Sequence, residues 1–463
     1  MNRIARWLRN GLGLLLLLTL ASSAVWLIVQ SRPRPPQVAQ TSPLPTPTVP
    51  PAPPASPTAL PPSPSPSPTA RPPGPPPLPT QAAGRVPLCT FPSGPPPERG
   101  GPGLDKYEFS EPRVVLTHTS GIAIADWLPD NSRLLITRSY SRSSRQLIET
   151  LDIRNGEIQL YAERDQHNGK PVWLSAIQGV AYSAAPPNAR GGQFALLISR
   201  VQPPETETAV TSEGNGAALG GSLAVEPGGR RLLYLVDRTG GRLQSWDTVT
   251  RINQATAFDI AEWGPPLTPG TQYVAHPVWS PNGSRFAIFA HSTLFLVEPG
   301  PNRVCEVPAR GWVLGLYSQW SPNSRYLAII TTDEQPDPLV HTTALLVLDG
   351  LTGEQRKLTA EANQASITDV SWGPDSRHLV VFVRTSGMYR EDRPTEKLFL
   401  IDVVTRDMRQ VWPGRLFGVG RDGERMAWSP NGQHLAIKCP IVRDSEPILA
   451  EDRVCLISTE IRP

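Results

Sequence analysis

The chain has 463 residues, 54 prolines, only 18% charged side chains and a formal net charge of +3. That length accommodates two or three domains, and the proline excess places part of the chain outside any packed core. The near balance of charge, with no basic stripe or recognition helix, excludes a nucleic-acid binder.

At the start, Arg3, Arg6 and Arg9 precede an uncharged run from Gly11 to Val29. About 19 such residues suffice to cross a hydrocarbon core as a helix, and arginines before it with a long segment after it put the N-terminus inside. The rival reading is a cleaved signal peptide, with Leu12 to Leu20 as its apolar core and Ser22-Ser23-Ala24 at the cleavage site. The run continues through Val25-Trp26-Leu27-Ile28-Val29, longer than a signal needs. Residues 1–31 are therefore expected to form a single transmembrane anchor that leaves the rest extracytoplasmic, with secretion after cleavage as the alternative. No cysteine adjoins the segment, which argues against a lipid anchor.

Residues 32–104 are dominated by Pro, Ser, Thr and Ala, as in Ser63-Pro64-Ser65-Pro66-Ser67-Pro68-Thr69. Such a segment has too little apolar bulk to offset its ordering entropy, so a disordered linker is expected, extended at about 3.1 Å per residue. It reads as a stalk or a solubilising spacer, and its Ser and Thr residues suit O-glycans by composition.

From residue 105 to 463 one pattern recurs. Trp279-Ser280-Pro281-Asn282-Gly283-Ser284-Arg285-Phe286-Ala287-Ile288-Phe289 is nearly repeated from Trp320, Trp372 and Trp428, and more weakly from Trp127. Ser, Pro, Asn and Gly at successive positions have the composition of a type I turn, and the β-rich runs on either side make each copy a hairpin. The five tryptophans are read as structural, filling space between stacked sheets. Spacings of about 41, 52 and 56 residues between the last four copies indicate an array of supersecondary units.

With four strands per unit, six units can be laid out, the second of them degenerate, with Tyr182 in place of Trp. The sixth stops one strand short, and the orphan run Arg113-Val114-Val115-Leu116-Thr117 is placed to complete it and close the ring. The expectation is an all-β, six-bladed propeller of four-stranded blades. The Trp-Ser-Pro-Asn/Asp-Gly hairpin, with strands such as Ala344-Leu345-Leu346-Val347-Leu348-Asp349 and the following Thr352-Gly353-Glu354, resembles the WD40-like repeat of the TolB family. The resemblance implies a propeller of the kind found in periplasmic interaction proteins and on prolyl-oligopeptidase-type enzymes. TolB's small α/β domain has no counterpart here.

Catalytic signatures are missing from the sequence: no G-x-S-x-G elbow, no H-E-x-x-H and no Walker motif. No catalytic residue, metal ligand or cofactor is assigned, and His276, His291 and His378 read as structural. The glycine-rich run from Gly214 to Gly221 reads as loop. Long loops are expected over 162–176, 200–230, 248–273, 331–341, 384–395 and 440–452, all on one face, where binding concentrates on a rigid scaffold. The first three flank the degenerate unit and bring Trp173, Trp263 and Tyr273 forward as candidate ligand-binding residues.

Four cysteines allow three pairings. Cys439 ends a second strand and Cys455 lies in the adjacent third, so these two are expected to pair, leaving Cys89 for Cys305 in an oxidising compartment. The function that follows is a membrane-anchored, extracytoplasmic, non-catalytic module binding a protein or cell-envelope ligand on its long-loop face. The alternatives are a small-molecule hydrolase or lyase using the central channel, and a purely structural surface protein.

Overall fold

The computed structural model describes residues 86–91 and, with internal interruptions, 102–462. Longer interruptions fall at 186–194, 212–222, 260–274, 333–342, 386–394 and 440–451. Residues 1–85, with the expected anchor and most of the linker, lie outside the described residues, as does the glycine-rich run. Everything described belongs to the second of two compact units, Pro73–Pro463. No helix among the described residues is long and apolar enough to cross a membrane.

The described residues form seven antiparallel sheets, each a propeller blade, so the expected six blades are corrected to seven. The unit read as degenerate is two blades, 167–211 and 224–259, merged in the sequence reading. Blade 1 spans 122–165, blade 4 275–307, blade 5 312–358 and blade 6 365–417. Blade 2 consists of His167–Leu174, Gly179–Ala184, Ala195–Val201 and Pro204–Thr211; blade 3 consists of Ala224–Val225, Arg231–Leu235, Arg242–Asp247 and Ile252–Asp259. Tyr182 therefore lies in a second strand, not at the tryptophan position. Much of 162–176, 200–230 and 248–273, expected as loop, is strand. Pro204-Glu205-Thr206-Glu207-Thr208 carries no core pattern because it is an outermost strand, with polar residues on both faces.

The cryptic repeat of blade 3 is visible in its hydrogen bonds. Glu226 N–H donates to Arg231 O at 2.8 Å and Gly229 N–H to Glu226 O at 2.9 Å, matching Ser280 to Arg285 and Gly283 to Ser280, both at 2.9 Å, in blade 4. Val225-Glu226-Pro227-Gly228-Gly229 thus stands where blade 4 has Trp279-Ser280-Pro281-Asn282-Gly283. A valine replaces the marker tryptophan. In blade 2 the equivalent turn is the 3-10 segment Ser175–Ile177, without proline, followed by Gln178 at φ 49°.

The repeated residues bolt neighbouring blades together. Trp127 Nε1 donates to Ala427 O at 2.7 Å, Trp320 Nε1 to Val278 O at 3.0 Å and Trp372 Nε1 to Gln319 O at 2.9 Å. Each acceptor is the residue just before the motif tryptophan of the preceding blade. A second set of bonds links the turns: Asn282 N–H reaches Ser324 Oγ at 2.9 Å, Asn323 N–H reaches Ser376 Oγ at 2.8 Å and Asn431 N–H reaches Asn131 Oδ1 at 2.9 Å. Ser324, Ser376 and Asn131 all have positive φ, a conformation that costs an ordinary residue energy and here aims the side chain at its neighbour. Gly432 occupies the same conformation at φ 75°, and a Cβ there would lie 2.5 Å from Pro374 Cγ. Ion pairs inside the blades complete the frame, Arg325 to Asp349 at 2.8 Å and Arg377 to Asp402 at 2.6 Å.

Both ends of the chain build blade 7. Met426–Trp428, His434–Lys438 and Asp452–Ile461 come from the C-terminal end, while Arg113–His118 and Tyr107–Phe109 pair along the outer edge of the last strand. Ring closure by the orphan N-terminal run is therefore seen. Tyr107 pins this segment to blade 6: it is 1% exposed and its hydroxyl donates to Asp375 Oδ2 at 2.5 Å. Cys439 is joined to Cys455 within blade 7, and Cys89 to Cys305. The second bridge belongs to a strap, residues 86–91, on the outer strand of blade 4, where Cys89 N–H donates to Glu306 O and Glu306 N–H to Pro87 O. This strap lies within the stretch read as linker.

Candidate functional site

The repeating bolts lapse between blades 1 and 2, and chemically unusual side chains gather there. At the position just before the motif tryptophan, Gln319 and Ser371 each commit their side chain to the next blade, accepting from Trp372 N–H at 3.2 Å and Trp428 N–H at 2.9 Å. Asp126 holds the same position in blade 1, yet its Oδ1 accepts from its own neighbour, Trp127 N–H, at 2.8 Å. The carboxylate remains reachable by solvent while protein surrounds it on most sides. That loss of bulk water raises its pKa, against the pull of the Lys170 ammonium and the Trp127 N–H. Lys170 is exposed on the innermost strand of blade 2, where register slips between Asn168 and Val172 around Gly169 at φ 84°.

Further out, Trp173 is half-buried in the same interface. Its ring meets Tyr161 edge-on at 5.7 Å, and the Arg133 guanidinium lies 6.0 Å from its centroid. Tyr161's pKa is raised, chiefly by burial. Trp173 is thus a wall of the blade 1–blade 2 interface and packs against its core. Trp263 and Tyr273, the other two candidate binding residues, lie outside the described residues.

At the rim the interface opens into a groove of about 470 Å³ lined by Arg145, Leu160, Tyr161, Ala162, Glu163, Arg164 and Thr206. One wall is the outermost strand of blade 1, Ile158–Asp165; the other is the outermost strand of blade 2. Strand alternation sorts the charges. Thr206 faces the groove, while its neighbours Glu205 and Glu207 pair with Arg251 of blade 3 at 3.2 and 3.4 Å. Leu160 is 48% exposed, unusual for its size in the wall of a groove. Arg145 pairs with Glu163 at 2.9 Å, and both are well exposed. Arg164 donates to Glu163 O through one terminal nitrogen at 3.0 Å, but its Nε is buried with no partner. None of the four residues Arg145, Leu160, Arg164 and Thr206 stands out in the sequence, because they meet only when two outer strands are brought side by side.

Other charged clusters are tied into the frame. Asp369, 4% exposed, accepts from Arg425 N–H at 2.9 Å and Met426 N–H at 3.2 Å and so caps the inner edge of blade 7. Burial pushes its pKa up to about 6 against those hydrogen bonds and the charge of Lys170. Asp375 shows the opposite balance: burial alone would raise it, but bonds from His378 and Tyr107 hold it well below the usual carboxylate range. His378 is fully buried with Nδ1 2.5 Å from Asp375 Oδ2. Among the described residues, no group of three or more His, Cys, Asp or Glu side chains is placed to hold a metal ion.

No protein-family model matches this chain, and no curated protein is similar to it in sequence. Solved structures are similar in fold. The oligogalacturonate lyase of Vibrio parahaemolyticus superposes with a TM-score of 0.50 at 11% identity, over 76% of this chain and 97% of that one. An oligogalacturonate lyase in complex with manganese gives 0.49 at 12%, over 77% and 98%. TolB from Acinetobacter baumannii gives 0.42 at 15%, and the match spans just under two thirds of that protein, 66% of each chain. Identities this low speak to fold alone. The chain has a β-propeller architecture, with seven blades.

Proposed function

We propose that this protein is a binding module which holds a protein partner outside the cytoplasm, its propeller carried on a membrane anchor and a proline-rich stalk. The observation that carries the reading is the blade 1–blade 2 sector. This interface combines a lapsed bolt, accessible charges and an open groove with an exposed leucine. Rigid scaffolds concentrate recognition where regular structure gives way. Two disulfides among the described residues, with no free cysteine, suit an oxidising compartment.

The test is affinity capture from envelope extracts with full-length protein, scored by partners that copurify at a fixed ratio and by cross-links mapped to residues 145–211. Cross-links confined to other blades would remove the sector from the reading. For the anchor, the protein is expected to sediment with membranes and keep its N-terminus; mature protein beginning near Val25 would replace the anchor with a cleaved signal.

A second reading, a channel enzyme of the hydrolase or lyase type, draws on Asp126 and Asp369, two carboxyl groups with raised pKa on inner strands that both feel Lys170. The fold likeness to oligogalacturonate lyases adds only architecture. Turnover of oligogalacturonate abolished by Asp126→Asn would favour it.

A further inference from the structure

We propose that the groove between blades 1 and 2 is a docking site for an extended, acidic segment of a partner protein, which adds as a further strand along Ile158–Asp165. The proposal rests on the binding-module reading and names the partner's chemistry.

Three observations carry it. First, Ile158–Asp165 is the outermost strand of blade 1 and pairs, among the described residues, only with Arg145–Asp152, so its other edge offers backbone groups for strand addition. Second, the molecule already uses such pairing: residues 87–89 lie against the outer strand of blade 4 through two backbone hydrogen bonds to Glu306. Blade 4's edge is occupied by the chain's own strap, and among the described residues nothing pairs with blade 1's. Third, the charges select the occupant. The blade 2 wall presents Thr206 because its glutamates are turned to Arg251, so the blade 1 wall sets the potential. Among the described residues lining the groove there are two guanidinium groups, Arg145 and Arg164, and one carboxylate, Glu163. The Arg145–Glu163 pair is solvent-exposed and weakly held, so Arg145 can exchange Glu163 for a ligand carboxylate. Arg164 commits one terminal nitrogen to Glu163 O and lines the groove, where a carboxylate can meet its guanidinium with the charge-assisted geometry such groups favour. Leu160, between them in sequence, supplies apolar contact for an alternate side chain of the added strand.

The probe is a fluorescein-labelled, N-acetylated octapeptide of alternating Glu and Val, with the Lys-Val peptide as its charge-reversed counterpart, titrated by anisotropy into full-length protein in mild detergent. The Glu peptide is expected to bind at least tenfold more tightly than the Lys peptide, and Arg164→Glu to weaken it at least tenfold. Leu160→Lys, next to the guanidinium groups, separates apolar contact from charge: weaker binding despite the added positive charge supports the strand geometry. Melting curves superimposable on wild type show that each variant is folded, and Arg164→Gln serves where Arg164→Glu is not. Equal affinity for the two peptides, or binding unchanged in both Arg164 variants, overturns the proposal. A partner captured and cross-linked equally by wild type and Arg164→Glu would leave the binding module standing and remove this groove from it.

Discussion

Blades 4 to 7 and blades 2 and 3 are built from the same four-stranded hairpin pairs, but the means of attachment differ. In the first group a tryptophan fills the space beside each innermost strand, two of these donate to the preceding blade, and turn residues at positive φ reach back to accept from the preceding turn. In the second group the tryptophan position holds Leu174 or Val225, and no such indole bond exists among the described residues. The ring nevertheless stays continuous, because apolar clusters such as that around Leu174, Tyr234 and Trp246 still span the blades. The difference teaches that motif and fold are separable. Burial holds every blade, while the motif adds directional bonds where a surface need not adapt.

The sharpest way to break that contrast is to exchange its markers. Trp372→Ala, at a residue 4% exposed, is expected to cost about 3 to 5 kcal/mol, whereas Val225→Ala, half-exposed in blade 3, is expected to cost about 1 kcal/mol. Denaturant unfolding of both variants checks this, and equal losses would mean that the tryptophans carry no special role.

Next in size is the covalent link of the regular sector. Cys439→Ala opens a bridge of sequence separation 16, for which the loop-entropy relation gives about 3 kcal/mol. Reductant is expected to lower the melting temperature of wild type, and Cys439→Ala to reproduce most of that loss. Free thiols at Cys439 and Cys455 in protein purified without reductant would contradict it.

The pH dependence offers a finer test inside blade 6. Asp369, raised from 3.8 to about 6, contributes stability that is full below pH 3.8 and lost as pH rises through 6. Asp375, lowered, contributes stability present above its unfolded value and lost as pH falls. Asp369→Asn is therefore expected to stabilise the protein by about 2 kcal/mol at pH 7.5 and not at pH 4. Asp375→Asn is expected to destabilise it by about 2 kcal/mol at neutral pH, with the deficit shrinking in acid. Melting temperatures of the three proteins between pH 2 and 8 measure both trends.

The sequence declared its architecture through four strong copies of one turn, and ring closure followed from the unpaired run at Arg113. It concealed one blade because the hydrogen-bond pattern of that turn needs only proline and positive-φ glycine, and Glu226-Pro227-Gly228-Gly229 supplies these without the aromatic marker. Blade 2 kept neither. Trp173 was legible as an aromatic in an irregular region, and the structure places it at the interface where the groove opens. Arg164 and Thr206 were not legible, since no spacing along one chain records which outer strands become neighbours in a ring. The strap at Cys89 was hidden for another reason: proline-rich composition predicts the absence of a core, and residues 86–91 borrow one from blades 3, 4 and 5.

Closure of blade 7 by both ends also sets a timetable. Tyr107–Phe109 and Arg113–His118 both take their partner from Asp452–Ile461, so two strands made early wait for one made late. A chain emerging N-terminus first from a ribosome or a translocon carries that open edge throughout its synthesis, and hydrophobic edges of this kind invite pairing with the wrong molecule. A product truncated before residue 452 lacks the partner for Arg113–His118 and leaves Cys439 without Cys455. Unfinished copies are therefore marked by an unpaired thiol at Cys439 and by two strands, Tyr107–Phe109 and Arg113–His118, without a partner.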